Sequence, residues 1–184
     1  SARGSWCNFW MLSDGWPPEI DIVEYPLDSV SGDNNQLYRY ITNIHYGDSQ
    51  SSMDTHWKGN LSAGYHIYAL DWRPWYVAYN FDNSYVRSLS DFYHGNDFGS
   101  MYMILNYYVG GAWGGQVWQH PNPDTWPDPA VSDAGKMKID WVRVWQRNRD
   151  TVTECIARWP LDETAGTTAA DSSVDHRPAA VIAG

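Results

Sequence analysis

Apolar and polar residues alternate along short segments, and turn residues break them at close intervals. "SWCNFWML" (residues 5–12) precedes the turn-rich "SDGWPP", and "PEIDIVEY" (18–25) follows it. "LDSVSGDNNQ" (27–36) reads as a loop by composition. In "YRYITNIHYG" (38–47), Ile41, Asn43 and His45 fall on one face and Thr42, Ile44 and Tyr46 on the other. "GYHIYALDWRP", "WYVAYNFDN", "YVRSLS" and "MYMILNYYVGG" repeat the pattern, and "KMKIDWVRVWQ" (136–146) closes the series. Val, Ile, Tyr and Trp dominate these segments and helical periodicity is missing, which predicts an all-β sandwich or barrel. After Gln146 the character changes. "RNRDTVTECIA" reads as a linker, and the tail from Arg158 is rich in Ala, Thr, Ser and Asp.

One strand breaks its own pattern. "WPPEIDIVEY" sets Glu19, Asp21 and Glu24 among Ile20, Ile22, Val23 and Tyr25, although an unpaired buried carboxylate is costly. Residues i and i+2 of a strand share a face, so Glu19 and Asp21 point the same way, about 7 Å apart. Glu24 is out of phase. One extra residue at Ile22 or Val23, accommodated as a β-bulge, returns it to the face of the other two. Converging carboxyl groups have their pKa values pushed apart, so that one stays anionic while another keeps a proton near neutrality. Retaining glycoside hydrolysis requires that pair. A hard-cation site and a solvated acidic edge strand are the other readings open at this point.

Composition narrows the partner. The 184-residue chain is long enough for one domain and part of a second, and its net charge of -10 disfavours nucleic acid and anionic membranes. No apolar run approaches the ~20 residues needed to span a bilayer. With 12 Trp and 13 Tyr against 4 Phe, the aromatic choice favours rings with a polar edge. Such rings suit a wet cleft that grips an amphipathic ligand such as a sugar. Cys7 and Cys155 have no metal-ligand spacing and leave the redox compartment open.

"EIDIVE" resembles the E-x-D-x-x-E signature of glycoside hydrolase family 16, in the bulged form typical of laminarinases, agarases and κ-carrageenases. Five further segments resemble the laminarinase branch in order: "SWCNFWML", "IHYG", "AGYHIYALDW", "MYMILNYYVGGAWGG" and "IDWVRVWQ". The resemblance implies a two-sheet, concanavalin-like jelly roll with a concave carbohydrate cleft, and a secreted, monomeric endo-hydrolase of β-1,3- or mixed β-1,3/1,4-glucan. Glu19 falls on the family's nucleophile, Asp21 on its assisting acid and Glu24 on its acid/base. Trp16 falls on a tryptophan beside the cleavage point, and Trp10, Trp113 and His45 are similar candidates for substrate binding. Catalysis needs no cofactor, but Asp140 matches a residue that in relatives helps bind a structural Ca²⁺. An agarase-like galactan hydrolase and a non-catalytic carbohydrate-binding protein of the same fold are the alternatives.

The departures are specific. Family members carry further N-terminal strands before the segment matched by "SWCNFWML", so the domain at 1–147 is expected to be N-terminally truncated. Cys7-Asn8 stands where the family has Pro-Ala, and "PPE" replaces the usual Gly before the nucleophile. A linker at 148–157 and, at 158–184, the truncated opening of a laminin-G/concanavalin-like module complete the reading; the module rests on "WPLDETAGTTAADSS".

Overall fold

The computed structural model describes residues 5–27, 37–47, 50–74, 76–90, 98–109, 112–113, 116–117, 136–147, 153–162, 168–173 and 179–180. Regular structure among them is almost wholly antiparallel β, without an α-helix. No helix there is long and apolar enough to cross a membrane. The chain divides into two compact units, Ser1–Met137 and Lys138–Gly184.

The first unit holds two main sheets. The larger is built from β1 (Ser5–Leu12), β2 (Glu19–Leu27), β3 (Arg39–Gly47), β4 (Gln50–Ser51), β5 (Asp54–Trp57) and β9 (Tyr102–Val109). Its order is β4-β3-β2-β1-β9, with β5 also paired to β3. The smaller, ordered β6-β7-β8, comprises β6 (Tyr68–Arg73), β7 (Tyr76–Phe81) and β8 (Ser84–Ser90). Asp82 and Asn83 join β7 to β8, both with positive φ (47° and 62°). A two-residue hairpin with both central residues left-handed is the type I′ turn, which matches strand twist and which Asp and Asn tolerate. The short β10 (Ala112–Trp113) and β11 (Gln116–Val117) pair with each other.

Alternation explains how the two sheets close on a core. Ile20 and Ile22 of β2 and Ile44 of β3 pack with Val77 and Tyr79 of β7 and with Phe98. Val23, Tyr25 and Leu27 continue the core with Tyr40, Leu61 and Phe81. The outer ends of this layer are aromatic: Tyr40 stacks on Phe81 at 5.6 Å and meets Tyr68 edge-on at 5.3 Å. Cys7 packs against the same group, and burial pushes its thiol up to about 11. This two-sheet sandwich is the expected all-β jelly roll.

In the second unit, β12 (Val142–Arg147) pairs with β13 (Thr153–Trp159), and β14 (Thr168–Ala169) with β15 (Ala179–Ala180). The stretch read as a linker therefore runs into a strand. Thr153, Cys155 and Ile156 have good strand propensity, and β12 supplies the partner that makes it count. Asp171 fastens the turn beyond: its carboxylate accepts from the backbone N–H groups of Arg158 (2.8 Å) and Ser173 (2.7 Å) and from the Ser173 hydroxyl (2.9 Å).

Candidate active site

Three carboxyl groups converge because β2 carries one residue too many. Against β1, Phe9 pairs with Val23 and Trp10 with Asp21, so Ile22 is passed over. Against β3, Asp21 pairs with Asn43 and Glu24 with Ile41, three steps on one strand against two on the other. Ile22 and Val23 consequently both enter the core, and the phase of the strand changes between them. Glu19, Asp21 and Glu24 then share the face that points away from the core. Neighbouring strands give the same face Asn8 and Trp10 from β1, and Ile41, Asn43 and His45 from β3.

Burial and mutual repulsion set the chemistry of this cluster. Asp21 and Glu24 are buried, at 4% and 6% exposure. Burial, the charges of Glu24 and Glu19, and a hydrogen bond to Glu19 push Asp21 up to about 9. Burial, followed by the charge of Glu19, pushes Glu24 up to about 7. Asp21 is therefore a neutral acid donating to Glu19 at neutral pH. Glu24 stands where a carboxyl group can both give and take a proton. Its Oε2 is buried and has no hydrogen-bond partner among the described residues, so none of their side chains competes for that oxygen.

A stability prediction follows from Asp21. Its folded pKa of about 9 lies above the ordinary 3.8, so the folded state holds a proton that the unfolded state releases. That contribution to stability is complete below the ordinary value and is lost as pH rises toward the folded one. Asp21→Asn removes the titration. Urea denaturation across this pH range is expected to show the variant gaining stability relative to wild type as pH increases; parallel pH profiles would contradict it.

His45 lies beside the acids. Its Nε2 is 3.6 Å from Glu19 Oε1 and 3.6 Å from Asp21 Oδ2, and 2.9 Å from Asn43 Nδ2. Trp16, 57% exposed, covers the ring at 5.6 Å between centroids. Trp10 is half-buried, its indole N–H donating to Asn106 Oδ1 at 2.8 Å. Glu19, Asp21, Glu24, Trp10, Trp16 and His45 are thus brought to one end of the larger sheet's outer face. Trp113 lies in β10, and its side chain is outside the described residues. Asp140 is exposed in the second unit.

Metal binding is limited by this geometry. Among the described residues, Glu19, Asp21 and His45 are the one group of three His, Cys, Asp or Glu side chains with ligand atoms close together, within 4.8 Å. Asn43 already occupies the His45 Nε2 position, which leaves two carboxyl groups, few for a Ca²⁺ that takes six to eight oxygens. Asp140 belongs to no such group among the described residues.

Asn43, Asn106 and Asn8 escaped the sequence reading as members of the site. Alternation in β3 already put Asn43 on the face of His45. Asn106 and Trp10 are 96 residues apart, and only strand pairing reveals their contact. Asn8 is the Cα partner of Glu24, and its Oδ1 is buried without a hydrogen-bond partner among the described residues.

Comparison with known proteins identifies the family. The family model described as "Glycosyl hydrolases family 16" matches residues 1–143. A protein named beta-glucanase from Rhodothermus marinus is 30% identical over 168 residues, covering 79% of this chain and 54% of the relative. Among solved structures, a Bacteroides ovatus family 16 protein from a mixed linkage glucan locus, in complex with a G4G4G3G product, is 29% identical with a TM-score of 0.50. The match covers 59% of this chain and 50% of that one. LamAcat from Zobellia galactanivorans shares the fold at 24% identity and a TM-score of 0.52, over 67% and 54% of the two chains. The chain spans about half the length of the Rhodothermus relative and of these solved chains. By its sequence match over residues 1–143, the chain belongs to glycosyl hydrolases family 16.

Proposed function

We propose that this protein is a secreted endo-hydrolase that cleaves β-1,3- or mixed β-1,3/1,4-glucan with retention of configuration. The observation that carries the reading is the shared face of Glu19, Asp21 and Glu24, with Glu24 held near pH 7 beside a nucleophile-bearing carboxyl. Glu24 protonates the glycosidic oxygen while Glu19 attacks the anomeric carbon, and the leaving sugar departs with the proton. The glycosyl–Glu19 ester is then hydrolysed by water that deprotonated Glu24 activates. Asp21 donates to Glu19 and orients it. Trp16, at the rim, and Trp10 offer flat faces to sugar rings.

The glucan assignment is supported by the relative named beta-glucanase and by the mixed linkage glucan neighbour. The tail from residue 158 is proposed to open a laminin-G-like module, on its sequence resemblance. A product profile tests the substrate. Incubation with laminarin, lichenan and agarose is expected to release oligosaccharides from one or both glucans and none from agarose. Release from agarose alone would replace the glucan assignment with the galactan one, and binding without release would leave a carbohydrate-binding protein.

A further inference from the structure

The environment of His45 determines which of its nitrogens can hold a proton, and Asn43 makes the choice. The Asn43 side chain is oriented without ambiguity: Oδ1 accepts from the backbone N–H of Ile44 at 2.9 Å. Reversing the amide would set two donors against each other there. Its NH₂ is therefore the group that faces His45 Nε2 at 2.9 Å. An amide NH₂ only donates, so Nε2 must accept, and a neutral ring then carries its proton on Nδ1. The residue is also fixed from below: Tyr79 of β7 donates through its hydroxyl to the Asn43 backbone carbonyl at 2.7 Å.

We propose that Asn43 is a positioning residue of the site, whose side-chain amide holds His45 as the neutral Nδ1–H imidazole and denies Glu19 a cationic partner. The proposal rests on the assignment of Glu19 as nucleophile. Without Asn43, a proton on Nε2 would sit 3.6 Å from both Glu19 and Asp21. An imidazolium at that distance stabilises the carboxylate ground state and lowers its basicity, which weakens a nucleophile whose negative charge must be spent on the anomeric carbon. The groups facing the ring are Glu19 and Asp21 from β2, Asn43 from its own strand and the Trp16 indole. From β4 the Cα partner is Ser51, which does not titrate. The Glu19 carboxylate favours a proton on Nε2, and the Asn43 donor opposes it.

The test joins a spectroscopic reading with a kinetic one. Long-range ¹H–¹⁵N correlation on the labelled protein, with His45 assigned by loss of its signals in His45→Gln, is expected to show a neutral ring with Nε2 unprotonated and Nδ1 protonated. Asn43→Asp replaces the donor with an acceptor and should put a proton on Nε2. Its kcat/KM on glucan is expected to fall about tenfold or more on the acid side and to recover as pH rises, with KM little changed. Asn43→Ala, which removes the donor without adding an acceptor, is expected to lose less, again mainly on the acid side. A proton on Nε2 in the wild-type protein would overturn the proposal, as would equal, pH-independent losses in both variants. The spectrum decides the tautomer even if no glucan is hydrolysed, so failure of the functional reading is distinguishable from failure of this one.

Discussion

Glu24→Gln is expected to lower kcat/KM on glucan by about 10²–10⁴-fold and to abolish the alkaline limb of the pH–rate profile. The limb arises because Glu24 must hold a proton to protonate the leaving oxygen. Burial, aided by the charge of Glu19, raises its pKa to about 7. Below that value the acid form dominates, and the first step proceeds. As pH rises through it, the proton is lost and the rate falls. Glutamine keeps the shape of the side chain but has no acidic proton, so the residual rate should be flat across neutrality. An unchanged limb in the variant would assign the titration to another group. A companion measurement follows from the same coupling. Removing the Glu19 charge takes away one of the two causes of the Glu24 shift, so Glu24 in Glu19→Gln should titrate below its wild-type value.

Glu19→Gln is expected to reduce turnover by about 10⁴-fold or more while leaving oligosaccharide affinity within a few-fold of wild type. The amide oxygen is a poor nucleophile, and among the described residues no other carboxyl group is positioned to replace it. Asp21 is neutral near pH 7 and donates to Glu19, and Glu24 is committed to proton transfer. Binding should persist because the stacking tryptophans and the sheet beneath them are untouched. Calorimetric titration with an oligosaccharide that wild type cleaves, alongside reducing-end assays, separates the two quantities. Turnover at the wild-type rate would remove Glu19 from the mechanism.

Much of this arrangement was legible in ten residues. Alternation places Glu19 and Asp21 together, and the adjacent apolar pair Ile22-Val23 signals where the phase must change if all three acids are to leave the core. The structure puts the passed-over residue at Ile22. Alternation in β3 likewise set Asn43 and His45 on one face. What could not be read were contacts that depend on register between distant strands. The hydrogen bond from Trp10 to Asn106 and the anchoring of Asn43 by Tyr79 join residues 96 and 36 positions apart. The pairing of Thr153–Trp159 with Val142–Arg147 was hidden for another reason. Arg, Asn, Asp and Thr at 147–151 give the segment a linker's composition, and strand formation a few residues later depends on a partner more than on propensity.

The central claim is that Glu19 forms a covalent bond to the sugar while Glu24 handles the proton. A 2-deoxy-2-fluoro β-glucoside with a dinitrophenolate leaving group probes it directly, because the fluorine slows hydrolysis of the glycosyl-enzyme and the leaving group needs little acid assistance. Peptide mapping after incubation is predicted to find a single sugar adduct on Glu19, still formed in Glu24→Gln and absent in Glu19→Gln. An adduct on Glu24, or none on a protein that hydrolyses glucan, would contradict the account.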